Sequence, residues 1–244
     1  LNERHEAWES VARKLAHEIK NPLTPIQLTI DRLKTQYSKT TTSINEDIFN
    51  DYLKTIIKQI KLIESLVNEF SDFARMPKPI FKENNLISIM NDSIKLLKEI
   101  DLSISINFKF EEEKILFECD SEQIGRVFFN LIKNSIESIQ EKSIKNTDFA
   151  KKIHIEIINK SDYIEITITD NGTGFTEKNL KSIFKPYFTT KSKGSGLGLS
   201  IVNKIVNDHR GKIKFEQKKN GAKVIIYLNK NVNWNINYRR QSRY

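Results

Sequence analysis

Four stretches of this chain hold residue types whose spacing allows chemistry. In HEIKNPLTP (His17–Pro25), an imidazole stands just ahead of Pro22, with Pro25 three residues further on. A proline inside a helix removes a hydrogen bond and clashes with the preceding turn, at roughly 3 kcal/mol, so two in a row need a compensating reason. One reason is a kink beyond an exposed nucleophile, opening the helix to a reaction partner; the alternative is an ordinary solvated histidine. In NLIKN, Asn130 and Asn134 stand four apart, on one face of a helix, beside Lys133. Amide oxygens ligate a hard cation such as Mg²⁺ without adding negative charge near phosphates, although two surface asparagines would read the same. In TDNGTGF, Asp170 closes an expected strand and Gly172 and Gly174 follow. That carboxylate is placed to accept from an exocyclic amine such as adenine's, and the glycines let backbone approach a ligand; the other reading is a plain turn. In TTKSKGSGLGLSIV, Gly194, Gly196 and Gly198 precede a helix whose first N–H groups suit a phosphate. The spacing is neither that of a P-loop nor that of a dinucleotide-binding fingerprint, which needs a preceding strand.

Two kinds of element must position these groups. From Phe49, apolar residues recur at Leu53, Ile56, Ile60, Ile63, Val67, Phe70 and Ala74, the alternating four and three of a helix in a coiled coil or bundle. Before it, Trp8, Val11, Leu15, Ile19, Leu23, Ile26, Ile30, Leu33 and Tyr37 form a similar stripe. A local stutter of consecutive fours brackets His17. At 100° per residue His17 lies about 200° from Leu15 and Ile19, off the stripe and toward solvent. The polar SKTTTSINED between the stripes, with Ser43 or Asn45 as cap, makes them an antiparallel hairpin. One hairpin has only one partner for its stripe, so two chains are expected to pair into a four-helix bundle. After the proline-containing ARMPKPIF the pattern changes. LISIMNDSIKLLKEI, SEQIGRVFFNLIKNSIESIQEK (with Ser121 as N-cap) and LGLSIVNKIVNDH read as helices. SISINFKF, KILFECD, KIHIEIIN, YIEITITD, GKIKFEQ and AKVIIYL read as strands. Helices on one side of a mixed sheet make an α+β sandwich.

Composition narrows the function classes. Of 244 residues, 38% are hydrophobic and the formal charge is +9. The lysines are scattered, though, and much of the excess sits in the tail NYRRQSRY, so direct nucleic-acid binding is not expected. A single cysteine, Cys119, excludes an internal disulfide framework and a Cys-based zinc site. No run is long and apolar enough for a membrane span. The chain opens on Leu1 directly into helical sequence, which suggests a piece of something longer, any anchor lying upstream.

Taken together and in this order, NLIKN, TDNGTGF, IFKPYFTTK and the glycine stretch resemble the ATP-binding fold shared by sensor histidine kinases, gyrase-type topoisomerases and Hsp90-type chaperones. HEIKNPLTP looks like the phosphoacceptor box of histidine kinases. AHEIKNPLTPIQLTIDRLK with VNEFSDFARMPKP is most similar to the NtrY-type nitrogen-regulation kinases. The resemblance implies a dimerisation and phosphotransfer domain over 1–76, a linker at 77–82, a Bergerat-type ATP-binding domain over 83–230 and a basic tail at 231–244. It implies that His17 takes the γ-phosphate, that Glu18 orients its ring, and that Asn21 positions water for dephosphorylating a partner. Asn134 would bind Mg²⁺ and Asp170 would read adenine. Lys133, Gly194, Gly196 and Gly198 would hold phosphates, and 171–196 would form a lid. Asn130, Gly172, Gly174, Phe184, Lys191 and Leu197 complete the implied nucleotide-binding set.

ATP-hydrolysing relatives carry a glutamate base where this chain has Asn130, and an amide cannot deprotonate water; the ATP is therefore expected to await an external nucleophile. The expected cofactors are ATP and Mg²⁺. The expected partners are a second copy and the receiver domain of an NtrX-like response regulator, docking near Thr24, Gln27, Leu28 and Asp31. The expected location is the cytoplasmic part of an inner-membrane sensor. The alternatives are a phosphatase-dominant or ATP-sensing scaffold and a GHKL-type ATPase. One departure from the family is Arg210, in DHRGKI, where a second glycine is frequent.

Overall fold

The computed structural model describes residues 16, 19–35, 46–74, 77–145, 149–176, 180, 182–183, 188–189 and 196–230. The chain divides into two compact units: Leu1–Met76 with Thr189–Leu197, and Pro77–Phe188 with Gly198–Tyr244.

The first unit is helical. Helix α1 (19–35) runs through both Pro22 and Pro25, and the buried Thr29 hydroxyl donates to the Pro25 carbonyl at 2.7 Å. Helix α2 (Glu46–Ala74) has 29 residues, about 43 Å of helix at 1.5 Å per residue. The apolar stripe splits cleanly by exposure. Phe49, Ile56, Ile63 and Phe70, seven apart on α2, are half-buried. Leu53, Ile60 and Val67, also seven apart, are exposed, at 37%, 52% and 44%. The same split appears on α1, where Ile19, Ile26 and Leu33 are half-buried while Leu23 and Ile30 are exposed at 42% and 40%. The caps expected at Ser43 or Asn45 lie outside the described residues.

The second unit is the α+β sandwich. Strand β1 (Lys82–Asn85) pairs antiparallel with β3 (Leu116–Cys119). Helix α3 (Leu86–Lys98) is capped by Asn85, whose Oδ1 accepts from Ile87 N–H at 3.1 Å. The main sheet has the order β2-β4-β5-β7-β6, from β2 (Ser105–Phe110), β4 (Lys152–Asn159), β5 (Tyr163–Asp170), β6 (Gly211–Lys218) and β7 (Gly221–Asn229). Among the described residues, only the β2–β4 pair is parallel. The period-two isoleucines explain the layering. Ile153, Ile155, Ile157, Ile164, Ile166 and Ile168 are at most 1% exposed, and alternation puts them all on one sheet face. Helices α3, α4 (Ser121–Lys145) and α5 (Gly198–Asp208) pack as the other layer, contributing Met90, Phe128, Ile132, Ile139 and Ile205 to the core.

One expectation is corrected here: Asp120, not Ser121, caps α4. The Asp120 Oδ1 accepts from Gln123 N–H at 3.0 Å, and its carbonyl takes the first helical bond from Ile124 N–H, also 3.0 Å. Both residue types cap well, and the geometry selects the earlier one. The Asp120 carboxylate also ties down the preceding segment, accepting from Ile80 N–H at 2.9 Å, while Gln123 Nε2 donates to the Pro77 carbonyl at 3.0 Å. Buried His209 completes this corner. Its Nε2 accepts from Asp120 N–H at 3.0 Å, so the proton sits on Nδ1, 2.8 Å from the Ile205 carbonyl.

Candidate functional site

The site is built along α4. Asn130, Asn134, Ser138 and Lys142 recur every four residues, a row about 18 Å long that winds about 120° round the helix. Asn130 donates through Nδ2 to the Arg126 carbonyl at 2.8 Å. This leaves its Oδ1 facing the start of α5, where a Cβ on Gly198 would lie only 3.1 Å away. Asn134 is half-buried and Lys133 beside it is exposed. At the far end of the row, Lys142 Nζ donates to the Asn171 carbonyl at 2.7 Å and stands 5.0 Å from the Phe149 ring centroid.

Asp170, last residue of β5, is 5% exposed. A buried carboxylate needs donors, and here one is local and one long-range. Gly172 N–H reaches Oδ1 at 2.9 Å, and the Ser135 hydroxyl, from α4, reaches Oδ2 at 3.2 Å. The loop that follows lies against the helix. Thr173 N–H donates to Ser138 Oγ at 3.0 Å, and the two hydroxyls are 3.1 Å apart. A Cβ on Gly172 would come within 2.7 Å of the Ser138 carbonyl carbon, so only glycine lets the loop approach this closely. Gly174 has φ +76°, and a Cβ there would sit 2.6 Å from the Gly221 carbonyl oxygen. Its neighbour Phe175 donates its N–H to Gln217 Oε1 and sets its ring edge-on to Phe215 at 5.5 Å.

The structure thus brings Asn130 to Gly198, and the Asp170–Gly174 loop to Ser135 and Ser138 further along α4. Gly198 is the first residue of α5. Gly196, with φ +69°, and the fully buried Leu197 belong to the stretch grouped with the helical unit. Asn21 is exposed on α1, as are Thr24, Gln27, Leu28 and Asp31. His17, Glu18, Phe184, Lys191 and Gly194 lie outside the described residues, as does most of the stretch expected to form a lid.

Sequence reasoning overlooked Ser135, Ser138, Thr173 and Gln217. A signal for the first existed. Ser135 is a hydroxyl among the buried apolar positions Leu131, Ile132, Ile136 and Ile139, and a buried hydroxyl needs a partner.

Comparison with known proteins agrees on both units. Residues 7–79 match the His Kinase A (phospho-acceptor) domain. Residues 119–232 match the histidine kinase-, DNA gyrase B-, and HSP90-like ATPase family. A sensor histidine kinase described as NtrY-like, from Rickettsia conorii, is 40% identical over 212 residues, covering 86% of this chain and 34% of that protein. This chain therefore spans about a third of that relative's length. Among solved structures, the catalytic domain of histidine kinase ThkA is 31% identical with a TM-score of 0.55, covering 62% of this chain and 96% of that one. Histidine kinase ThkA in complex with the response regulator protein TrrA is 27% identical with a TM-score of 0.74, covering 94% of this chain and 64% of that one.

Proposed function

The chain belongs to the histidine kinase family, and on that premise we propose that it is the kinase core of a two-component sensor: it phosphorylates His17 from ATP and passes the phosphoryl group to an aspartate of a response regulator. One observation carries the nucleotide half of this reading. A buried carboxylate at a strand end, Asp170, is held by donors from α4 and from its own loop, on the helix that also carries Asn130 and Asn134. An ionised carboxylate only accepts, which suits an exocyclic amine. Mg²⁺ binds through one or two protein oxygens together with substrate phosphates, and an amide oxygen from the half-buried Asn134 fits such a role. Lys133, Gly194, Gly196 and Gly198 would hold the phosphates, with Phe184, Lys191 and Leu197 the remaining members of the nucleotide-binding set. Asn130 lacks the basicity to activate water, which favours transfer over hydrolysis.

In this reading a ring nitrogen of His17 forms a bond to the γ-phosphorus as the bond to the ADP oxygen breaks. Glu18 accepts a hydrogen bond from the other ring nitrogen and so keeps the reactive lone pair available. Asn21 orients water when the regulator is dephosphorylated. The histidine kinase ThkA has been solved with a response regulator; for this chain the corresponding partner is a receiver domain, of the NtrX type given the NtrY-like relative. The exposed Thr24, Gln27, Leu28 and Asp31 are the docking residues. A second copy of the chain covers the exposed seam of Leu23, Ile30, Leu53, Ile60 and Val67. No helix among the described residues is long and apolar enough to cross a membrane. We assign the chain to the cytoplasmic side of a membrane-anchored sensor.

The test is incubation with γ-labelled ATP and Mg²⁺ for the wild type, His17→Ala and Asn134→Ala. The expected result is an acid-labile, alkali-stable label on the wild type that both substitutions abolish. Nucleotide binding without any label on the wild type would overturn the kinase reading in favour of a phosphatase or sensing scaffold.

A further inference from the structure

We propose that Ser135 is a positioning residue for nucleobase selection, acting through Asp170; the inference rests on the nucleotide reading above and goes beyond it. The terminal torsion of an aspartate is broad, so the plane of its carboxylate is set by whatever donates to it. Here Gly172 N–H takes Oδ1 at 2.9 Å and the Ser135 hydroxyl takes Oδ2 at 3.2 Å. Both side chains are inside the unit, Ser135 at 4% and Asp170 at 5% exposure, so water does not substitute freely for the hydroxyl. The hydroxyl donor comes from a helix position 35 residues away in sequence, and removing it takes one constraint off the plane of the carboxylate.

What that would change follows from purine chemistry. At position 6, adenine presents an amine donor whereas a 6-oxo purine presents an acceptor. A carboxylate fixed in plane rewards the donor and repels the acceptor, and a carboxylate free to turn does less of both. Ser138, one turn along α4, bonds only to Thr173. Its hydroxyl braces the loop and does not touch Asp170, so it serves as the contrast.

The experiment measures dissociation constants of the 244-residue chain for MgATP and MgITP, alongside the melting temperature without nucleotide. Ser135→Ala is expected to raise the ATP constant roughly fivefold, the effect of one hydrogen bond of ordinary net strength. The ITP constant should stay within about twofold, shrinking the ATP:ITP preference. Taking a donor from a buried carboxylate lowers the melting temperature by more than alanine's helix propensity returns, so the ATP:ITP ratio is the readout and melting only confirms that the chain is folded. Ser135→Thr, which keeps the hydroxyl, should restore the wild-type ratio, and Ser138→Ala should weaken both nucleotides by the same factor. A preference unchanged in Ser135→Ala, or lost equally in Ser135→Thr, would overturn the proposal while leaving the ATP site intact. Wild-type protein that binds neither nucleotide would overturn the nucleotide reading and this inference with it.

Discussion

The two units solve the same burial problem in opposite ways. In the α+β unit the isoleucines of β4 and β5 that face the helices are at most 1% exposed, and α4 and α5 bring Ile132, Ile139, Val202 and Ile205 to the same depth. In the helical unit, half of each heptad stripe stays in solvent: Leu23 and Ile30 on α1, Leu53, Ile60 and Val67 on α2. A sheet layered by three helices closes its own core, whereas a two-helix hairpin has one apolar seam too many. The α+β unit closes its core within a single chain, whereas the helical unit leaves the seam on which the second copy is proposed to pack.

The largest effect should come from breaking the unfinished half. Ile60→Asp places a carboxylate in the exposed seam twice per dimer. It removes two aliphatic side chains from the interface and buries two charges, on the order of 5 kcal/mol in all, or more than a thousandfold in dimer affinity. Sedimentation should show monomers at concentrations where the wild type is dimeric. The nucleotide affinity of the same protein should not move, because Asn130, Asn134 and Asp170 belong to the other unit. A dimer that survives the substitution would place the second copy elsewhere.

The same contrast governs how much could be read in advance. Both apolar stripes were legible in the sequence, as were β4 and β5, because each has a single strong period. Strand β1 was not. Its residues Lys82, Glu83, Asn84 and Asn85 are poor strand formers, and they are extended because β3 pairs with them and Asn84 Nδ2 reaches the Cys119 carbonyl at 2.8 Å. The cap of α4 went to the wrong one of two adjacent good cappers, since only long-range bonds from Asp120 to Ile80 and His209 separate Asp120 from Ser121. In the site, Asn130, Asn134, Asp170 and the glycines stood out as a spaced pattern. Ser135 showed only as a hydroxyl among apolar positions, and its partner Asp170 lies 35 residues away. Propensity and period are local; partners distant in sequence are visible only once the chain is folded.

A medium effect should mark the α+β unit alone as acid-sensitive. Burial pushes the His209 imidazole below its ordinary 6.5. The Ile205 carbonyl and the nearby Asp120 and Asp208 charges pull the other way without prevailing. The Arg210 guanidinium is the cation on the adjacent turn, stacked on Phe81 at 5.7 Å. Since the folded value lies under the unfolded one, the unfolded chain takes up protons first as pH falls. Stability from the neutral ring is therefore full above about 6.5 and is lost as pH drops through the window below it. Protonation would also place a hydrogen on Nε2, where Asp120 N–H now donates. His209→Gln keeps a polar side chain without a titrating ring. It should cost about 1–3 kcal/mol at pH 7, the scale of a disturbed buried hydrogen bond, while flattening the fall in melting temperature between pH 7 and 5. A pH dependence as steep as the wild type's would assign the acid sensitivity to other groups.

The smallest effect is the most discriminating, because two terms of similar size oppose each other at Arg210. Its φ of 59° puts a residue with a Cβ in the left-handed region, costing roughly 1 kcal/mol that a glycine would not incur. Against this, the guanidinium lies over the Phe81 ring, a contact of about 0.5–1 kcal/mol. The Arg210 carbonyl accepts from Asn229 Nδ2 at 2.7 Å whatever the side chain. Arg210→Gly exchanges the strain for the lost ring contact and a floppier unfolded chain, so thermal melting should place it within about 0.5 kcal/mol of wild type. Arg210→Ala keeps the strain and loses the contact, so it should be destabilised by about 0.5–1 kcal/mol. Alanine falling below glycine would show that the backbone turn alone requires φ > 0 and that arginine is tolerated because it grips Phe81. Alanine equal to arginine would mean that the cation over Phe81 contributes nothing, and the corner would then be held by Asp120 and His209 without it.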